Sequence, residues 1–125
     1  MDNIFSLFWG AQIEVLKFDI KHQTIYLKIK RNFNGDDEWF DVMFEKVVSF
    51  SWVNSVGEFR NQHSDWEYMD LTSFDSVIDS SIKYIGDKFI SKYESYPNIC
   101  IEIWDSILLI EAMIINVNDQ KYSLN

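Results

Sequence analysis

Over most of the chain the apolar positions recur every second residue, and the breaks in that alternation fall where turns belong. Ile25, Leu27 and Ile29 alternate with Tyr26, Lys28 and Lys30, as expected of a strand with one face in a core and the other in water. Upstream, Ile13 and Val15 and then Leu16, Phe18 and Ile20 keep the same period with one slip between Val15 and Leu16, which predicts a β-bulge. With Lys21 to Thr24 between them the two runs form an antiparallel hairpin. Asn34-Gly35 tolerates the positive φ of a tight hairpin turn and leads into a strand through Phe40, Val42 and Phe44. The next extended run, Val47 to Val53, sets Val48, Phe50 and Trp52 on one side. Near the C-terminus Ile99, Ile101 and Ile103 alternate with Cys100, Glu102 and Trp104. Asp105-Ser106 then supplies a turn into Ile107 to Val117, a second hairpin apolar enough to be central.

Two segments depart from this period. Ile4, Phe5, Leu7 and Phe8 follow helical spacing after a capping Asp2 or Asn3, and Gly10 stands where a short helix stops. Phe74, Val77, Ile78, Ser81, Ile82, Ile85 and Phe89 recur at three and four residues behind Thr72 and Asp75, which resemble a capping box. That spacing predicts the main helix, interrupted at Gly86. Residues 54 to 70 have no period and read as a loop with a short strand near Trp66 to Met69. The expectation is an α+β fold: a mostly antiparallel sheet of six or seven strands, one main helix against it, and a short N-terminal helical turn.

At 125 residues, with 47% hydrophobic and 25% charged, the chain fits a single domain spanning residues 1–125 with a core of its own. Ten Phe, six Tyr and five Trp exceed what so small a core buries, so some rings reach the surface, where Trp and Tyr favour protein contacts. A net charge of −9 repels a phosphate backbone and steers in a basic protein instead, so a protein partner is expected and a nucleic acid is not. The single Cys100 permits neither an internal disulfide nor a cysteine cage for zinc, which suits a reducing compartment. The N-terminal apolar group lacks the preceding Lys or Arg of a secretory signal, and Ile107 to Val117 is too short to span a bilayer. A cytoplasmic protein without membrane contact is the expectation.

The stretch HSDWEYMD, residues 63 to 70, places His63, Ser64 and Asp65 in a row. A hydrolytic triad is assembled from separated segments, and neighbouring side chains in an extended chain point apart, so adjacency makes no triad. No Gly-x-Ser-x-Gly elbow surrounds any serine. His63, Asp65, Glu67 and Asp70 have no recognised metal-ligand spacing, and Asp36-Asp37-Glu38 follows naturally from the Asn34-Gly35 turn. Glu111 interrupts an apolar strand on a face shared with Leu109 and Met113. It must be paired, for which Lys28, Lys30 and Arg31 are available, or sit at a rim, or carry a shifted pKa. No catalytic residue, cofactor or metal is assigned. The expected partner-binding set is Asp36, Asp37, Glu58, Asp65, Trp66, Glu67, Tyr68 and Asp70, with Trp39, Trp52 and Phe59 as further rings among the carboxylates.

The opening FWGAQIEVLKFDIKHQTIYLKIKR, the following DVMFEKVVSFSW and the closing NICIEIWDSILLIEAMIINV resemble small bacterial immunity proteins of polymorphic toxin systems, in particular the YxiG-like group. The resemblance lies in pattern and leaves residues 54 to 98 outside it. It implies a cytoplasmic, non-catalytic protein that binds and blocks a cognate toxin domain, and it carries over no binding residues. Two other readings stand beside it: a small-ligand-binding or catalytic domain with an acidic cleft carrying Glu111, Glu102 or His63, and a subunit of a larger assembly. The oligomeric state stays open between monomer and homodimer.

Overall fold

The computed structural model describes residues 2–54, 69–84 and 93–124. The short helix α1 (Asp2–Leu7) is followed by β1 (Gln12–Asp19), β2 (Thr24–Phe33), β3 (Asp36–Val53), β4 (Met69–Ser76), β5 (Ile82–Tyr84), β6 (Tyr93–Ser95), β7 (Ile99–Ile103), β8 (Ser106–Val117) and β9 (Gln120–Ser123). Apart from the small β5–β6 pair, the strands form one antiparallel sheet in the order β3-β2-β1-β4-β7-β8-β9. Because β3 also pairs with β8, the sheet closes into a barrel of β1, β2, β3, β8, β7 and β4, and β9 extends the ladder beside the end of β8.

The alternation read from the sequence puts the right residues inside. Ile25, Leu27 and Ile29 of β2, Val42 and Phe44 of β3, Ile99, Ile101 and Ile103 of β7, and Leu108 and Ile110 of β8 are all buried. At roughly 1.5–3 kcal/mol for each large side chain withdrawn from water, these rows are the main stabilising contribution. Asn34 (φ 53) and Gly35 (φ 87) form the two-residue β2–β3 turn between the paired Phe33 and Asp36. A bulge is present in β1, with Glu14 as the extra residue between Ile13 and Val15, slightly upstream of the expected slip. The β7–β8 turn also starts one residue early, at Trp104-Asp105, and Ser106 is buried at the head of β8.

The α+β expectation is overturned: the fold is all-β, and α1 is its only helix among the described residues. Thr72, Phe74 and Asp75, expected at the head of the main helix, lie in strand β4. Ile82 lies in β5, Val77, Ile78 and Ser81 have no regular structure, and Ile85 and Phe89 fall outside the described residues. The spacing arises because the apolar residues after Phe74 belong to separate pieces, an irregular stretch at Val77 and Ile78 and strand β5 at Ile82, while β4 itself carries a register shift between Leu71 and Ser73. That shift places Ser73 and Phe74 consecutively in the interior. Thr72, the extra residue of that shift, and Asp75, paired with Cys100, are exposed, and Ile78 is 83% exposed, so no apolar helical face is buried there.

α1 does what sequence suggests and more. Phe5 and Phe8 are fully buried, their rings 4.9 and 5.2 Å from Phe74, and Phe8 meets Phe40 edge-on at 5.3 Å. The helix thus packs its apolar side onto the core. Gly10, at φ 79, turns the chain into β1 and donates its amide to the Leu71 carbonyl at 2.8 Å.

Candidate functional site: a mixed-charge aromatic face

Even-numbered residues of β2 and odd-numbered residues of β3's first half point out of the barrel, opposite the buried row. Pairing sets one continuous row across four strands: Trp39 on β3 lies opposite Lys30 on β2, Lys30 opposite Gln12 on β1, and Gln12 opposite Asp70 on β4. Asp70 then accepts a hydrogen bond from Trp104 Nε1 at 3.1 Å. Trp104 occupies the first turn position between β7 and β8 at φ 54, a conformation unusual for so bulky a residue, so this bond holds a strained turn against the row.

Trp39 is 49% exposed and lies beneath two cations, Lys28 Nζ at 5.4 Å and Lys30 Nζ at 5.7 Å from its ring centre. Such contacts are worth about 0.5–1 kcal/mol each at an exposed site, and they orient the ring and both ammonium groups together. Glu14 bridges to Lys30 at 3.8 Å. Asp37 accepts from Asn32 Nδ2 at 3.1 Å, and Asp41 accepts from the Tyr26 hydroxyl at 2.5 Å. That bond to a carboxylate favours the protonated phenol and pushes the Tyr26 pKa up to about 12. A concavity of about 270 Å³, lined by Gly10, Gln12, Lys30, Asn32 and Asp37, opens into this face.

Of the residues expected to bind a partner, Asp37 and Asp70 are brought onto this face and Asp36 is not. Asp36 is exposed but points to the opposite side of the hairpin, as parity demands, with Arg31, Phe33 and Glu38. On that side Arg31 bridges Glu38 at 3.6 Å and stacks on the Phe33 ring at 4.6 Å. Glu58, Asp65, Trp66, Glu67 and Tyr68, with His63 and Phe59, lie outside the described residues. The sequence reading undervalued Lys28 and Lys30. Their spacing of two beside a tryptophan on the paired strand was the available signal, hidden by a focus on acidic residues.

Glu111 is half-buried and, among the described residues, is held by neutral donors. Its Oε1 accepts from Ser49 Oγ at 3.1 Å and from the Tyr96 backbone amide at 2.9 Å. Glu102 is exposed on β7. Burial, reinforced by the charges of Glu102 and Asp75, pushes the Cys100 thiol pKa up and suppresses the reactive thiolate. At the β1–β2 turn Asp19 accepts from His22 through Nδ1 at 2.8 Å and through the backbone amide at 3.2 Å, and these bonds lower the Asp19 pKa. No cluster of three or more His, Cys, Asp and Glu suited to a metal exists among the described residues. None of the described helices is long and apolar enough to cross a membrane.

A search of curated proteins finds no match. A family model described as YxiG-like protein matches residues 1–122, extending through the middle stretch that the pattern resemblance left aside. The chain therefore belongs to the YxiG-like protein family.

Proposed function

We propose that the chain is a non-catalytic interaction protein of the immunity type, which binds a cognate toxin domain and blocks it in the cytoplasm. Membership of the YxiG-like family, together with the resemblance of the three stretches quoted above to immunity proteins, supports this reading. The observation that carries it furthest is the row ending in Trp39. A half-exposed indole, aligned by two lysines and framed by Asp37, Asp41 and Asp70, joins a rigid aromatic anchor to a polar rim. The net charge of −9 speeds approach of a basic domain, while the local mixture of signs sets its orientation. Occluding a toxin's active site requires nothing more than such a surface.

The test is coexpression with the toxin domains encoded beside this chain. Growth is rescued by the native chain, and Trp39→Ala weakens binding by about 30-fold or more, the mark of a buried anchor. Association slows as salt rises. Failure to neutralise any neighbouring toxin refutes the immunity reading. A neutralised toxin whose binding is indifferent to Trp39→Ala refutes the assignment of this face.

A further inference from the structure

The second half of β3, VVSFSWV from Val47 to Val53, has a strand along only one of its edges among the described residues. β2 leaves β3 at the Ile25–Phe44 pair, and the Gln23 carbonyl accepts the Val47 amide at 2.9 Å as the last link on that side. Among the described residues the ladder from Val47 to Val53 runs to β8 alone, with a register shift between Val47 and Ser49. In an antiparallel sheet alternate residues turn their amides and carbonyls to the opposite edge, so this edge offers a row of backbone donors and acceptors. Soluble proteins ordinarily blunt such edges with lysine, proline, an inward charge or a bulge. This seven-residue run has a single bulge at Val48 near its start, and from Ser49 to Val53 it carries none of them, in a chain of which 25% is charged.

The side chains along the edge are apolar and accessible. Val48 is 61% and Ile20 is 75% exposed, and Phe18 stacks on Phe50 at 4.8 Å with both rings reaching solvent. A groove of about 340 Å³ between the β1–β2 turn and β3 runs beside them, floored by Ile25 and Val47 and rimmed by Asp19 and Gln23. Together with Trp52 these groups expose apolar surface on the order of the several hundred Å² that marks an interaction site.

We propose that this edge is a homodimer interface, in which β3 of one copy pairs antiparallel with β3 of a second about a twofold axis near Phe50. An antiparallel strand pairing is self-complementary under twofold symmetry, so one uncharged edge suffices for both partners. Centred on Phe50, the pairing sets Val48 opposite Trp52 of the second copy and buries the Phe18–Phe50 stack. The charges around it come close to cancelling, Lys17, Lys21 and Lys46 against Asp19 and Glu45 with one cation in excess, so the repulsion implied by −9 per chain is not concentrated where the copies meet. Trp39 lies in the other half of β3, so dimerisation leaves the proposed toxin-binding face open.

Size-exclusion chromatography with light scattering tests this, across a dilution series from roughly 1 to 100 μM, a span that brackets micromolar self-association. The expected mass is twice 14.9 kDa at the high end, falling toward 14.9 kDa on dilution. Val48→Lys and Ile20→Lys, both at highly exposed positions that spare the core, each weaken dimerisation at least about tenfold, roughly 1.4 kcal/mol, with an unchanged circular dichroism spectrum. Amide exchange within residues 48 to 53 slows as concentration rises. A monomer at every concentration overturns the proposal, including one whose edge instead takes a strand from another protein. So does a dimer that ignores both substitutions or protects other strands.

Discussion

Tyr26 shows how one hydrogen bond becomes a pH signature. Its folded pKa of about 12 lies above the ordinary 10.0, so the protonated phenol is the form that the native state favours. The stabilisation is therefore whole below pH 10 and is lost as pH rises through about 12. A titration of phenolate absorbance in the folded protein shows a step at about 12 that disappears in Tyr26→Phe and moves down toward the ordinary value in Asp41→Asn, apart from the raised Tyr96, which both substitutions leave in place. Absence of that step in the native protein refutes the bond as drawn. Glu111 gives a second residue-level prediction. Glu111→Gln keeps a carbonyl to receive the Ser49 hydroxyl and the Tyr96 amide, and changes unfolding free energy by less than about 0.5 kcal/mol. Glu111→Ala strands both donors and costs about 1–2 kcal/mol in urea unfolding. Equal losses in the two variants would mean that charge, not acceptance, is what the site needs. Sequence alone raised the question of Glu111 but could not name Ser49 and Tyr96, because these donors come from residues 62 and 15 positions away.

At the scale of elements, α1 and β4 mark what alternation can and cannot disclose. α1 was legible because a capping residue, helical spacing and a stopping glycine agree within ten residues. β4 was not, because the apolar residues that follow Phe74 at helical spacing belong to an irregular stretch and to β5, and only the pairing with β7 reveals Phe74 as a strand residue. The face around Trp39 was half legible for a similar reason. Parity along β2 and β3 follows from sequence, whereas the row through Gln12 to Asp70 requires the register between strands distant in the chain. The six-residue α1 is too short to persist by itself and draws its stability from Phe5 and Phe8. Phe8→Ala is expected to cost about 3–5 kcal/mol, because Phe40 and Phe74 cannot close the resulting void. Denaturant unfolding measures it, and a loss below about 1 kcal/mol would mean that α1 is not part of the cooperative core. Gly35→Ala, at φ 87, costs about 1 kcal/mol in the same assay through backbone strain alone, since open space surrounds the added methyl.

For the molecule as a whole, closure depends on one 18-residue strand that serves two neighbours in turn, β2 along its first half and β8 along its second. The first pairing is local and the second joins residues as far apart as Val42 and Val117. Such non-local ladders fold in milliseconds to seconds, so stopped-flow refolding is expected to show its main phase in that range, and a sub-millisecond phase carrying the full amplitude would contradict the closed barrel. The same geometry has a consequence during synthesis. The β1–β2–β3 meander is complete as soon as Val53 is made, but Ile107, the partner of Val53, follows more than fifty residues later. At ~5–20 residues per second the nascent chain carries VVSFSWV with neither edge paired for several seconds. Expression yield in a living cell is then governed by that waiting interval, and a gatekeeping charge at Val48, harmless to the finished barrel, should raise the soluble fraction recovered from rapid overexpression.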